Sequence, residues 1–160
     1  MKKRFLAFSI ALLMMITCTV SAHEATVETV FSDPSIKIVA SPASPYASAY
    51  LSDYSIAFGA RDNCRMVITM DVNAPRVMNR IGCMMLIIEE KINGTWYECD
   101  TLVSADYPEF YAYNTSGYFH SIDYYGEAGV QYRVTMVAHA RDDTGYDTGE
   151  VTSYVVTCRE

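Results

Sequence analysis

The sequence predicts an all-β fold, a two-sheet antiparallel sandwich of about seven strands. Three observations predict it. After residue 48 the apolar residues recur at period two in short runs; turn residues such as Asn93–Gly94 separate those runs; and no long apolar run at helical spacing is flanked by caps.

The elements follow in order. Pro34, Pro42 and Pro45 bar continuous helix and a central strand from residues 23 to 45, so this stretch reads as a leader with one short edge strand at Ile36–Ala40. The first core strand is expected at Ala49–Ala60, where Ile56 and Phe58 alternate with small residues. The next runs from Cys64 to Val72, with Met66, Ile68, Met70 and Val72 on one face, and Asn73-Ala74-Pro75 then turns the chain. Ile81–Lys91 makes a third strand with Met84, Leu86 and Ile88 inward, closed into a hairpin by Asn93–Gly94, whose residues tolerate positive φ. Trp96–Val103 returns. A lone Trp in a small β-domain can stack a sugar but more often packs in the core, and the core is where it is placed here.

After a polar loop come Phe110–Tyr113, a turn at Asn114–Gly117, and Tyr118–Tyr125. Gly126 and Gly129 bracket a corner before Val130–Ala140, in which Tyr132, Val134, Met136 and Ala138 point inward and Arg133, Thr135, Val137 and His139 outward. A loop over Arg141–Glu150 leads to a last strand, Val151–Cys158.

The chain opens with Lys2, Lys3 and Arg4, continues with the apolar run Phe5–Ile16 and reaches Val20-Ser21-Ala22, the three parts of a cleaved secretory signal peptide over residues 1–22. Thr17 before Cys18 argues against lipid attachment there, where a small residue is normal. The expected organisation is thus a signal at 1–22, an extended or partly disordered leader at 23–47, and one β-sandwich domain at 48–160, secreted or extracellular, with no membrane insertion after cleavage. The signal carries three of the twelve basic residues and none of the nineteen acidic ones, which leaves a net charge of −10. Such a field repels nucleic acid, so no nucleic-acid partner is expected.

Four cysteines remain after cleavage: Cys64, Cys83, Cys99 and Cys158. An even number in an exported chain suggests two disulfides, with three connectivities open, against buried free thiols in a reducing setting. No Cys-x-x-Cys pair points to zinc.

The stretch Gly129-Val-Gln-Tyr132-Arg-Val134-Thr-Met136-Val-Ala138 with its closing strand resembles the last hairpin of fibronectin type III and related immunoglobulin-like domains, and the resemblance implies that Tyr132 bonds back to backbone at the corner. The run of Ala49-Tyr50-Leu51, Ile81-Gly82, Trp96, Ala112-Tyr113-Asn114-Thr115-Ser116 and Gly129 with Tyr132 is similar to a family of small secreted proteins of Gram-positive anaerobes, an uncharacterised domain that brings no activity or functional residues.

Chemistry-bearing patterns are sparse. Arg141–Glu150 gathers four carboxylates and two glycines, an oxygen-rich loop of the kind that can hold calcium, but its spacing fits no calcium-loop pattern and acidic loop tips are usually solvated turns. His23, His120 and His139 sit in no nucleophile or zinc signature, and no phosphate loop or nucleophile elbow occurs. No catalytic residue, metal ligand or cofactor is therefore assigned. Of the thirteen tyrosines, six cluster from Tyr107 to Tyr125, and Tyr111, Tyr113 and Tyr118 are the candidate ligand surface. The expected function is a non-catalytic secreted module that binds a protein or a glycan. The alternatives are a structural subunit of a surface assembly, signalled by outward Val67, Met85, Ile87 and Val137, or a small envelope hydrolase.

Overall fold

A computed structural model describes residues 48–160 in full and the backbone of residues 36–40; the expected signal at 1–22, most of the expected leader and His23 lie outside the described residues. Among the described residues the strands are β1 (Ile36–Ala40), β2 (Asp53–Ala60), β3 (Arg65–Ile92), β4 (Thr95–Val103), β5 (Tyr111–Tyr125), β6 (Gln131–Arg141), β7 (Tyr146–Thr152) and β8 (Val156–Thr157), with a 3-10 turn at Pro108–Phe110. Every pairing is antiparallel.

β3 organises the fold. Along one side it pairs first with β2, over Met66–Asn73, and then with β6, over Arg80–Glu90. Along the other side it pairs with β5, over Arg65–Gly82, and then with β4, over Met85–Ile92. Eight strands thus join one sheet that curls into a half-barrel, where two separate sheets were expected. The cause is that Asn73-Ala74-Pro75 does not turn the chain. The register steps from Asn73↔Gly117 to Met78↔Thr115, so residues 74–77 bulge out of the ladder, and Pro75 sits where no ladder hydrogen bond is required of it. β5 is continuous for the same reason: Asn114, at φ 54°, absorbs the bend that the sequence suggested as a turn.

The concave side of the curl holds the core. Ile56, Phe58, Met66, Ile68, Met70 and Val72 are fully buried, which fulfils the period-two alternation of β2 and the first half of β3. Beyond the first bulge the inward set becomes Ile81 and Cys83; a second bulge between Cys83 and Met85 then shifts the phase, so Leu86 and Ile88 are buried and Met84 is not. On β6, Tyr132, Val134, Met136 and Ala138 all face the core. Tyr54 of β2 reaches across to β7 and lies where a Cβ on Gly149 would stand, so that glycine is required by close approach.

Three local features depart from or extend the sequence reading. Trp96 is not a core residue: it lies half-exposed on the outer side of β4, with the Arg133 guanidinium 4.6 Å and the Lys91 ammonium 5.5 Å from its ring. The acidic loop is only four residues long, because β7 already starts at Tyr146. The Tyr132 hydroxyl accepts a hydrogen bond of 2.9 Å from the Glu127 backbone N–H, tying the start of β6 to the corner before it.

Both hairpin turns flanking β3 use left-handed residues. Asn93 and Gly94, at φ 51° and 86°, close β3 onto β4, as their types predict. Asn63 and Cys64, at φ 63° and 55°, close β2 onto β3. Glycine or asparagine suits such positions; a cysteine there costs about 1 kcal/mol in backbone strain.

Candidate functional site

Register places four strands side by side at the far end of the outer, convex face. Tyr113 of β5, Arg80 of β3, Arg141 of β6 and Tyr146 of β7 form one transverse row. Two residues along each strand, Tyr111, Gly82, His139 and Thr148 form the next. Residues directly opposite in an antiparallel ladder share a face, so these eight positions make one patch. With strands about 4.8 Å apart, the two outer tyrosines stand roughly 14 Å from each other, backbone to backbone.

Gly82 is the floor of the patch. Its φ of 150° and the closeness of the Phe110 carbonyl leave no room for a Cβ. Without a side chain between them, Tyr111 and His139 meet edge to face, ring centroids 5.6 Å apart. His139 continues onto Tyr146 at 6.0 Å, and the Arg80 guanidinium lies 4.4 Å over the Tyr111 ring. A chain of π contacts therefore crosses the patch from Arg80 to Tyr146. Tyr113 and Tyr146, 62% and 68% exposed, stand as walls at its two sides.

The polar groups of the patch are incompletely satisfied. Arg80 Nε and His139 Nδ1 are buried atoms without a hydrogen-bond partner. Arg80 and Arg141 face each other across β3 and β6, and neither makes an ion pair with a carboxylate among the described residues. Like charges directly opposite in a ladder are destabilising, and an unpartnered buried donor costs about 1–3 kcal/mol. His139 is held below the usual imidazole range by burial, with the positive charges of Arg80 and Arg141 adding to the effect, so at neutral pH it is uncharged. Burial raises the Tyr111 phenol above its ordinary range, so it stays a neutral hydrogen-bonding group.

Of the three tyrosines singled out in the sequence, the fold brings Tyr111 and Tyr113 together and separates Tyr118. Tyr118 is buried on the concave side and donates its hydroxyl to the Glu109 carbonyl oxygen at 3.2 Å. Even-numbered positions of this part of β5 face inward, which puts His120 beside Tyr118 and on the opposite side of the sheet from His139. The two histidines cannot act on one substrate. Val137 is buried, and Val67, Met85 and Ile87 are half-buried, so they form no open apolar face.

The acidic loop is internally committed. Asp142 Oδ2 accepts from Arg76 Nε at 3.1 Å and Nη2 at 2.6 Å, while Oδ1 accepts from the Thr144 backbone N–H and hydroxyl and from the Gly145 N–H. Those bonds, the Thr144 hydroxyl foremost and then Arg76, hold its carboxyl well below the usual carboxylate range. Arg76 also donates to the Ala49 carbonyl oxygen, so Asp142 serves to fasten the segment before β2 to the β6–β7 turn. Among the described residues no three His, Cys, Asp or Glu side chains converge as metal ligands.

Arg80, Arg141, His139 and Tyr146 were not singled out as a group by the sequence. The one available signal was the outward face of β6, where His139 precedes Arg141 by two. No known protein family, curated protein or solved structure matches this chain.

Proposed function

We propose that this protein is a secreted, non-catalytic all-β module that binds a glycan bearing acidic groups through the Tyr111–Tyr113–Arg80–Arg141–His139–Tyr146 patch. One observation carries the reading: two arginines without carboxylate partners lie between exposed tyrosine walls, above a glycine floor, beside a buried imidazole nitrogen with nothing to bond. Aromatic faces suit the apolar faces of sugar rings, and guanidinium forks suit carboxylate or sulfate. A span of roughly 14 Å between the walls fits an oligosaccharide of two or three rings better than a single small molecule. The protein's overall negative charge makes the local arginine pair a selective feature, since it competes against a repulsive background.

The test is a binding screen of the purified chain against acidic oligosaccharides, their neutral counterparts and acidic peptides. Saturable binding to the acidic saccharides, weakened about 10- to 100-fold by Arg80→Ala and likewise lost in Tyr113→Ala, is the expected result. Binding to the peptides alone, or to neutral and acidic sugars equally, overturns it. The assembly-subunit reading draws on a different observation, the exposure of Phe119 and Tyr125 on the outer side of β5. It requires a sedimentation coefficient that rises with protein concentration and falls back in Phe119→Ser.

A further inference from the structure

We propose that Cys64 and Cys158 form a disulfide that fastens the β2–β3 turn to the end of the chain, while Cys83 and Cys99 remain thiols. The two cysteines lie on neighbouring stretches of backbone. Cys64 N–H donates to the Arg159 carbonyl oxygen at 2.6 Å, one residue beyond Cys158. Their surroundings interlock as well: Gly126 N–H donates to the Cys64 carbonyl oxygen, and Gly129 N–H to the Cys158 carbonyl oxygen, each at 3.0 Å. Within this frame both side chains are free thiols, and Cys158 is pushed above the ordinary thiol range by burial first and by the neighbouring Cys64 next. Backbones joined in this way bring Cα atoms within the separation a disulfide spans.

The turn supplies a second observation. Cys64 has φ 55°, a left-handed conformation that favours glycine, immediately after Asn63 at φ 63°. A cysteine held in that position against its backbone preference is accounted for by a bond its side chain makes.

The other two cysteines cannot substitute. Cys83 pairs across to Ala138 and is fully buried, with its thiol donating to the Met85 carbonyl oxygen. Cys99 is the bulged residue of β4 and donates to the Ile88 carbonyl oxygen. Ile88 is five residues along β3 from Cys83, about 17 Å at strand spacing, far beyond disulfide reach. Neither lies near the 64–158 pair in the ladder.

Formation needs a two-electron acceptor, and a low-molecular-weight disulfide serves. The half-exposed Cys64, as thiolate, attacks one sulfur of that disulfide, forming a mixed disulfide and releasing one thiolate. The buried Cys158, on losing its proton, then attacks Cys64 Sγ and releases the second. The two protein thiols are oxidised, two protons leave them, and the acceptor is reduced to two thiols.

The experiment is thiol counting on the full chain after exposure to oxidised glutathione, with alkylation under denaturing conditions and peptide mapping. Three alkylated cysteines, Cys18, Cys83 and Cys99, and one cross-linked peptide pair joining 64 to 158 are expected, with five alkylated after reduction. The bond closes a long loop, so reduction should lower Tm by about 10 °C in the parent chain and leave Tm unchanged in Cys64→Ala. Both cysteines alkylated without reduction, or any cross-link that includes Cys83 or Cys99, overturns the proposal. The thiol count needs no variant to fold and is independent of whether a glycan binds.

Discussion

Two arginines on the same outer face, each laid over an aromatic ring, meet opposite fates. Arg133 stacks over Trp96 and forms a fork with Glu89, Nε to Oε2 at 2.6 Å and Nη2 to Oε1 at 2.7 Å. Arg80 stacks over Tyr111, has no carboxylate among the described residues, and keeps a buried Nε without a partner. The first arrangement uses its guanidinium donors within the folded chain; the second leaves a buried donor unused. A cation on an aromatic ring is thus no sign of a binding site by itself. What distinguishes the two is whether the remaining donors of the guanidinium are already used.

Four changes sharpen or break that contrast. Gly82→Ala should have the largest effect, since a Cβ at φ 150° meets the Phe110 carbonyl: a loss of about 3 kcal/mol or more in a denaturant titration, with the patch dismantled. A mild effect would mean that the floor is looser than described. Arg80→Ala should cost ligand affinity, about 10- to 100-fold by calorimetry, and leave the denaturation midpoint nearly where it was. Arg133→Ala should do the reverse, lowering stability by about 1–2 kcal/mol because Glu89 loses its fork and Trp96 its cation, with affinity unchanged. If the two variants behave alike, the distinction between a finished and an unfinished arginine fails.

The smallest effect concerns His139. Its proton affinity is lower in the folded chain than in the unfolded one, so the unfolded state takes up a proton first as the pH drops. The stability that follows is full above about pH 6.5, the ordinary imidazole value, and declines as the pH falls below it. Chemical denaturation at several pH values should show that decline, and His139→Gln should remove it. Bound acidic ligand should reduce the decline, because an anion among Arg80, Arg141 and His139 favours the imidazolium.

Much of the fold was legible in the sequence because alternation and turn chemistry are local. Met66 to Val72, Tyr132 to Ala138, Asn93–Gly94 and the short strand at Ile36–Ala40 all declare themselves within a few residues. Bulges do not. Whether Asn73-Ala74-Pro75 turns the chain or is extruded from a continuing strand depends on β5 running past on the other side, some forty residues later, and the phase shift after Cys83 is set by β6 in the same way. The patch was legible only in part. Tyr111 and Tyr113 belong to an evident tyrosine cluster, but Tyr118 belongs to it equally in sequence and is divided from it by the parity of β5. Arg80 and Tyr146 join the patch only through cross-strand register, which leaves no trace in either residue's neighbours. Trp96 illustrates the opposite error: composition suggests burial, yet the two cations beside it make a half-exposed position comfortable.

One consequence of the 28-residue β3 reaches past binding. A domain built of two independent sheets can loosen one of them while the other persists. Here each half borrows the same strand as its centre: if β3 lets go, β4 and β5 lose their backbone partner, and β2 and β6 keep only the strands on their other side. Partial opening is therefore confined to the rims, β1, β4, β5, β7 and β8, and amide protons along β3 should exchange with solvent only when the whole molecule unfolds. The chain is, in this sense, a single cooperative unit strung on one strand, and no proteolytic nick in the 74–77 bulge can release a fragment that keeps its fold.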